Sequence, residues 1–180
     1  MNALITGGAS CGKSQLAENL CQSLGGNLVY LAAMRPSGEE AHARIQRHRA
    51  QRAGKGFRTI ECPDGLAVAL QDGRTLGATA LLEDLGNVVA NQSFDCGRMA
   101  DVTVVQHEIV RDLDELAQRC AHLVVVGNEL GDDGIAYDAE TTAYQQLLGA
   151  IASMWAARCD LVTECVAGIP RAVKIGDDRA

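Results

Sequence analysis

Ala3-Leu4-Ile5-Thr6-Gly7-Gly8-Ala9-Ser10-Cys11-Gly12-Lys13-Ser14-Gln15-Leu16-Ala17-Glu18-Asn19-Leu20 decides how the rest of the chain is read. Residues 3–6 are a short apolar run of the kind that forms a buried parallel strand. Leu16, Ala17 and Leu20 follow at the i, i+1, i+4 spacing of a helix. Between them, Gly7 to Ser14 matches G-x-x-x-x-G-K-[ST], the phosphate-binding P-loop. Glycines let backbone N–H groups close around phosphate oxygens, and the helix N-terminus adds its positive dipole end. In this motif Lys13 reaches the β/γ-phosphates and Ser14 ligates Mg²⁺. Gly7, Gly8, Ala9, Ser10, Cys11, Gly12, Lys13 and Ser14 are thus the first candidate binding set. The stretch predicts a nucleoside triphosphate site.

Bulk properties narrow the partners of such a site. At 180 residues the chain reads as a single domain, residues 1–180, large enough to bury a sizeable core. Aromatics are only 3%, so that core must be built from Leu, Val, Ile and Ala. A formal net charge of −7 argues against nucleic-acid or anionic-membrane binding, which calls for a basic surface. The seven cysteines contain no C-x-x-C pair and resemble neither a zinc site nor a disulfide framework. Scattered single thiols fit a reducing cytosol. The apolar start is too short for a secretory signal, and no run approaches the roughly eighteen apolar residues of a membrane span. The expected location is cytoplasmic.

Farther along, Gly25-Gly26 closes the first helix, and residues 27–33 read as a second buried strand. Strand, helix and strand make a βαβ unit with parallel pairing and a right-handed crossover. Ligands sit at the carboxyl ends of such strands, so Ala32, Ala33 and Met34 are candidate neighbours of the nucleotide. Residues 39–52 then read as a helix carrying His42, Arg44, Arg47, His48, Arg49 and Arg52, with Lys55 and Arg58 beyond. Arg44, His48 and Arg52 share one face, where like charges cost a few tenths of a kcal/mol per pair. Two readings stand: a solvated basic face, or an anion site with an imidazole at its centre.

Residues 57–61 read as a strand, Gly65 to Gln71 as a helix, and residues 78–84 as a strand ending in Glu83-Asp84. That is the form of a Walker-B strand, whose terminal carboxylate holds Mg²⁺. An acidic helix start after a core strand has the same form. A helix over 86–94 precedes a polar connection at 93–98. A long amphipathic helix follows over 102–120, on which His107 reads as structural or surface. Residues 122–127 form the clearest later strand, delivering Asn128-Glu129 and the loop Gly131-Asp132-Asp133-Gly134 to the same sheet edge. A helix from 138 to 158 has Asp138 as its N-cap, and its face of Tyr144, Leu147, Leu148, Ile151 and Trp155 suits core or a subunit interface. A strand over 160–166 and a short end piece complete the chain. The alternation predicts one doubly wound α/β domain of the RecA-like P-loop NTPase class, with a mostly parallel sheet flanked by helices.

Taken together, these blocks resemble the bifunctional adenosylcobinamide kinase/adenosylcobinamide-phosphate guanylyltransferases of cobalamin biosynthesis. The matching residues are Ile5 to Ala9 with Gly12-Lys13-Ser14, Tyr30-Leu31-Ala32, and Arg44-Ile45-x-x-His48-Arg49-x-x-Arg52. Arg58-Thr59-Ile60-Glu61, Leu81-Leu82-Glu83 with Asn91, Asn128-Glu129 and Gly168-Ile169-Pro170 continue the match over nearly the whole chain.

The resemblance implies two reactions at one nucleotide site. ATP or GTP phosphorylates the aminopropanol hydroxyl of adenosylcobinamide. A histidine, here His48, then attacks the α-phosphate of GTP, and GMP passes from it to adenosylcobinamide phosphate. It also implies nucleotide contacts at Arg49, Ala50, Gln51 and Arg52, a nucleotide-binding acid at Glu61, and a Walker-B-like acid at Glu83 beside Mg²⁺. A homotrimer is implied as well. Chemically, an imidazole of pKa about 6.5 is mostly neutral and nucleophilic at pH 7. Arginines beside it offset phosphate charge and oppose its protonation.

The chain departs from the family pattern at four places. The usual Arg-Ser inside the P-loop is Ser10-Cys11, which removes a charge and adds an oxidisable thiol. Phe57 stands for a Trp, Gly131-Asp132-Asp133-Gly134-Ile135 lacks a proline, and Ala152 stands for an Asn. Two other readings stay open: a small-molecule kinase without guanylyl transfer, and a nucleotide-dependent switch or motor. The acidic charge stands against a DNA-linked motor.

Overall fold

The computed structural model describes residues 1–36, 38–95, 98–130 and 134–176, and the side chains of residues 39–42, 44, 48, 51, 95, 98 and 99 lie outside that description. Its strands are β1 (Asn2–Thr6), β2 (Leu28–Ala32), β3 (Arg58–Glu61), β4 (Thr79–Glu83), β5 (Phe94–Asp95), β6 (Arg98–Met99), β7 (His122–Val126), β8 (Leu161–Val166) and β9 (Ile169–Ile175). The helices are α1 (Lys13–Leu24), α2 (Gly38–Arg52), α3 (Ala67–Gln71), α4 (Leu85–Ser93), α5 (Val102–Arg119) and α6 (Ala139–Arg158). The main sheet runs β3-β2-β4-β7-β1-β8-β9, parallel except for the last pair.

Strand side chains alternate between two apolar layers. Leu4, Val29, Leu31, Leu82 and Val125 point into a core closed by α3 to α6, with Leu113, Ile151 and Trp155 buried in it. Ala3, Ile5, Tyr30, Leu81, Val124 and Val126 face the other way, against Ala17 and Cys21 of α1. This period-two division is what continuous apolar strands covered on both faces require. The face of α6 from Leu147 to Trp155 is core.

Helix starts follow their capping residues. Asp101 accepts from the Thr103 and Val104 amides, and Asp138 from the Thr141 amide. Two segments differ from the expected layout. The end piece is β9, an edge strand antiparallel to β8 and exposed throughout, so it has no buried face to pattern. Part of the polar connection after α4 pairs as β5 with β6, Phe94 opposite Met99 and Asp95 opposite Arg98.

Parallel order brings the carboxyl ends of β1, β2, β3, β4 and β7 to one edge. The P-loop, Met34, Glu61, Glu83 and Glu129 all follow or end those strands.

Candidate nucleotide site

Between β1 and α1 the backbone makes turns that few residues tolerate. Gly7 has φ of 147°, Ser10 of 54° and Gly12, the left-handed cap of α1, of 100°. A Cβ on Gly7 would lie 2.5 Å from the Cys165 carbonyl oxygen and 2.8 Å from Cys11 Sγ, so the loop's first position must be glycine. Lys13 is 7% exposed, and its Nζ donates to the Gly8 carbonyl oxygen at 2.8 Å. The ammonium thus lies over the loop, where a P-loop lysine meets phosphate. On the β7 side, the Glu129 amide donates to the Gly7 carbonyl oxygen at 3.2 Å. Thr6 Oγ1 donates to Glu129 Oε1, also at 3.2 Å.

The second part is the end of β4. Ser14 Oγ donates to Oε1 of Glu83. Glu83 is buried, and burial pushes its carboxyl up to about 7. The Ser14 hydrogen bond and Arg52 oppose that rise, while Asp84 and Glu18 add to it. Asp84, next along, accepts from the Asn87 amide at 2.7 Å and caps α4. The acidic helix start is thus Asp84, while Glu83 beside it is the acid that contacts the P-loop serine. A serine hydroxyl and a desolvated carboxylate in contact are hard oxygen donors that suit Mg²⁺.

Beyond Glu83 opens a pocket lined by Tyr30, Ala32, Met34, Ile45, Arg49, Arg52, Glu61, Glu83 and Asp84. The Arg52 guanidinium lies 3.4 Å over the Tyr30 ring centre, at the distance of a close cation–π contact. Only 8% of Arg52 is exposed, and its Nη1 finds no hydrogen-bond partner among the described residues. A buried cation with an open donor is a place for an anion. Arg49 Nη2 meets Glu61 Oε1 at 2.9 Å in a half-exposed pair. Pairs of that exposure contribute little and yield readily to a ligand.

Of the sequence-derived candidates, Ala32, Met34, Arg49, Arg52, Glu61 and Glu83 line this pocket, and Glu83 connects it to the P-loop through Ser14. Ala33 differs: its side chain is in the core, while its amide and carbonyl bond Glu83 and Asn91 and so fix the end of β2. Ala50 is exposed on α2. His48 and Gln51 stand on α2, and their side chains, like that of Arg44, lie outside the described ones. Asp132 and Asp133 lie outside the described residues.

Lys55 leaves the basic group altogether. Its Nζ pairs with Glu18 Oε2 at 2.5 Å and donates to Gln15 Oε1 at 3.2 Å, tying the segment after α2 to α1. Sequence reading assigned no pocket role to Tyr30, Ile45 or Asp84. Tyr30 had one legible signal: a polar-tipped aromatic inside an otherwise aliphatic strand.

A family described as cobinamide kinase / cobinamide phosphate guanyltransferase matches residues 3–173. The bifunctional adenosylcobalamin biosynthesis protein CobP of Pseudomonas aeruginosa is 32% identical over 174 residues, 97% of this chain and 98% of its own length. The corresponding protein CobU of Salmonella typhimurium is 30% identical over 183 residues, with 97% and 100% covered. Among solved structures, the flagellar accessory protein FlaH from Methanocaldococcus jannaschii has a TM-score of 0.53 at 10% identity, covering 97% of this chain and 78% of that one. The P4 protein from bacteriophage phi6, in complex with ADP, has 0.51 at 13% identity, covering 94% and 53%. At such identities these two share the P-loop NTPase fold alone. Matched over nearly its whole length by sequence, the chain belongs to the cobinamide kinase / cobinamide phosphate guanyltransferase family.

Proposed function

We propose that the joined P-loop and pocket hold one nucleoside triphosphate for both reactions of the family. In the kinase step the aminopropanol hydroxyl of adenosylcobinamide attacks the γ-phosphate of ATP or GTP, which Lys13 and the loop amides hold. In the transferase step a ring nitrogen of His48 attacks the α-phosphate of GTP, a P–N bond forms, and pyrophosphate leaves. The GMP-histidine then gives GMP to adenosylcobinamide phosphate, yielding adenosylcobinamide-GDP and restoring the imidazole.

One observation carries this reading. Arg49 and Arg52, from the helix that bears His48, line the same pocket as Glu83, which in turn bonds the P-loop residue Ser14. That adjacency supports a reading in which α- and γ-phosphate chemistry share one nucleotide. Arg52, and Arg49 once freed from Glu61, are placed to balance charge on the triphosphate and the departing pyrophosphate. Glu61, released in turn, can accept guanine N–H groups. Ser14 and Glu83 would hold Mg²⁺, which supplies charge neutralisation on the phosphates when bound. A cytoplasmic homotrimer acting on a corrinoid, without nucleic acid, completes the proposal. Among the described residues no helix is long and apolar enough to cross a membrane.

The test uses GTP labelled at the α-phosphate, with Mg²⁺. Acid-labile label on the protein that disappears in His48→Ala supports the reading. Absence of label, or undiminished label in that variant, overturns the transferase half. Label passing from the γ-phosphate alone would leave a kinase only. Sedimentation or light scattering gives the assembly.

A further inference from the structure

We infer that Cys11 and Cys165 form a paired-thiol modification site, in which a hydroperoxide closes a Cys11–Cys165 disulfide across the back of the P-loop and weakens nucleotide binding. The inference rests on reading the loop as the nucleotide site.

Six described cysteines are free thiols, and most are isolated in the core. Cys21 and Cys62, for example, belong to opposite layers of the sheet. Cys11 and Cys165 are different, because the fold brings them together from 154 residues apart. The Cys165 thiol donates to the Cys11 carbonyl oxygen at 3.2 Å, and the Gly168 amide donates to that same oxygen at 2.7 Å. Gly7 lies against both residues: a Cβ there would touch Cys11 Sγ at 2.8 Å and the Cys165 carbonyl oxygen at 2.5 Å. Burial, with Cys11 adding to it, raises the pKa of the Cys165 thiol. Cys11 is partly exposed, whereas Cys165 is 2% exposed. This is the arrangement of an accessible attacking thiol backed by a resolving one.

The chemistry balances with a hydroperoxide as the only co-reactant. Cys11, as thiolate, attacks one peroxide oxygen; an S–O bond forms and the O–O bond breaks. For hydrogen peroxide, the departing hydroxide takes up the thiol proton as water. Cys165 then attacks the sulfenic sulfur, an S–S bond forms, and the hydroxyl leaves with the Cys165 proton as a second water. Two thiols are oxidised and one peroxide is reduced.

The bond would act on the loop through residues 10–12. Their left-handed turns at Ser10 and Gly12 aim the backbone amides that a phosphate needs. Cys11 sits between them. Drawing its sulfur onto Cys165, which hangs from β8, must turn the Cys11 side chain and the two peptides beside it. The same anchor then holds the loop out of the phosphate-binding conformation until it is reduced.

Reduced protein first gives a GTP affinity, whose absence would count against the nucleotide site itself. After hydrogen peroxide, mass spectrometry of unreduced digests should find the peptides of Cys11 and Cys165 linked. GTP affinity should fall at least ten-fold in step with the linkage and return with dithiothreitol. Cys165→Ser, whose hydroxyl can still donate to the Cys11 carbonyl, should bind GTP when reduced and show neither linkage nor the linked, reversible loss. If that variant misfolds by circular dichroism, the wild-type linkage and affinity decide alone. No Cys11–Cys165 linkage, pairing of Cys11 with another cysteine, or linkage with unchanged GTP affinity overturns the inference.

Discussion

The Ser14 hydroxyl donates to Oε1 of Glu83, joining the first turn of α1, the helix that follows β1, to the end of β4, although β7 lies between β1 and β4 in the sheet. Because burial raises the Glu83 carboxyl to about 7, this contact is sensitive to pH. The folded protein holds the proton more tightly than the unfolded chain, so between about 4.5 and 7 the folded state binds more protons. Stability without ligand should therefore fall as pH rises through that window. Mg²⁺ needs the ionised carboxylate, so its affinity should rise over the same window. Glu83→Gln should flatten the unfolding profile, stabilise the ligand-free protein above pH 7, and weaken Mg²⁺-dependent GTP binding at least ten-fold. Thermal unfolding at pH 5.5 and 8, with and without Mg²⁺, checks each part. A profile unchanged by the substitution would place the pH dependence elsewhere.

Among the described residues near the site, Lys55 and Glu18 make the tightest cation–anion pair, at 2.5 Å. Glu18 is 1% exposed, and its Oε1 has no hydrogen-bond partner among the described residues. Removing Lys55 would strand a buried carboxylate, which typically costs about 3–5 kcal/mol when a buried pair is broken. Lys55 is itself partly exposed, so Lys55→Ala should cost about 2–3 kcal/mol by denaturant unfolding. Pairing Lys55→Met with Glu18→Leu should recover most of that loss. Full additivity of the two substitutions would contradict the pairing.

The Tyr30 ring should matter to the site through its face rather than its hydroxyl. Arg52 lies 3.4 Å over that face. Tyr30→Phe should leave GTP affinity within about two-fold of wild type, whereas Tyr30→Leu should lose about 1 kcal/mol or more, roughly five- to ten-fold. Arg52→Lys keeps the charge but loses the planar stack and the fork, so it should behave like Tyr30→Leu or worse. Equal losses in the Phe and Leu variants would assign the effect to the hydroxyl.

How far the sequence could be read follows from what leaves a local trace. Residues 3–20 carry strand, turn and helix signals in one window, so the P-loop and the start of the fold were legible. Buried strands such as 122–126 announce themselves as apolar runs. By contrast, β9 is exposed along its length, and Pro170 within it reads as a strand breaker; only pairing with β8 makes it a strand. The basic run from Arg44 to Arg58 was ambiguous because charge patterning does not reveal partners. Three-dimensional packing divides it: Arg52 goes under the pocket, Arg49 onto Glu61, and Lys55 to Glu18. Cys11 and Cys165, 154 residues apart, meet only through the β1–β8 pairing. Such meetings leave no mark in spacing.

Two adjacent glycines in the loop should respond differently to the same substitution. A Cβ at Gly7 collides with a backbone oxygen at 2.5 Å and a sulfur at 2.8 Å, and its φ of 147° is one that side chains rarely adopt. The backbone oxygen belongs to β8 and cannot give way without displacing that strand. At Gly8 a Cβ meets nothing within 4 Å. Gly7→Ala should therefore destabilise the ligand-free protein by about 2 kcal/mol or more, an overpacking cost with backbone strain added. Gly8→Ala should leave ligand-free stability within about 0.5 kcal/mol, as a substitution into open space does. Because the Gly8 carbonyl receives Lys13, any effect of Gly8→Ala should appear in GTP affinity instead. Unfolding midpoints for the two variants, followed by GTP titration, separate the scaffold role of the first glycine from the ligand-facing role of the second. Equal destabilisation by both would refute that division.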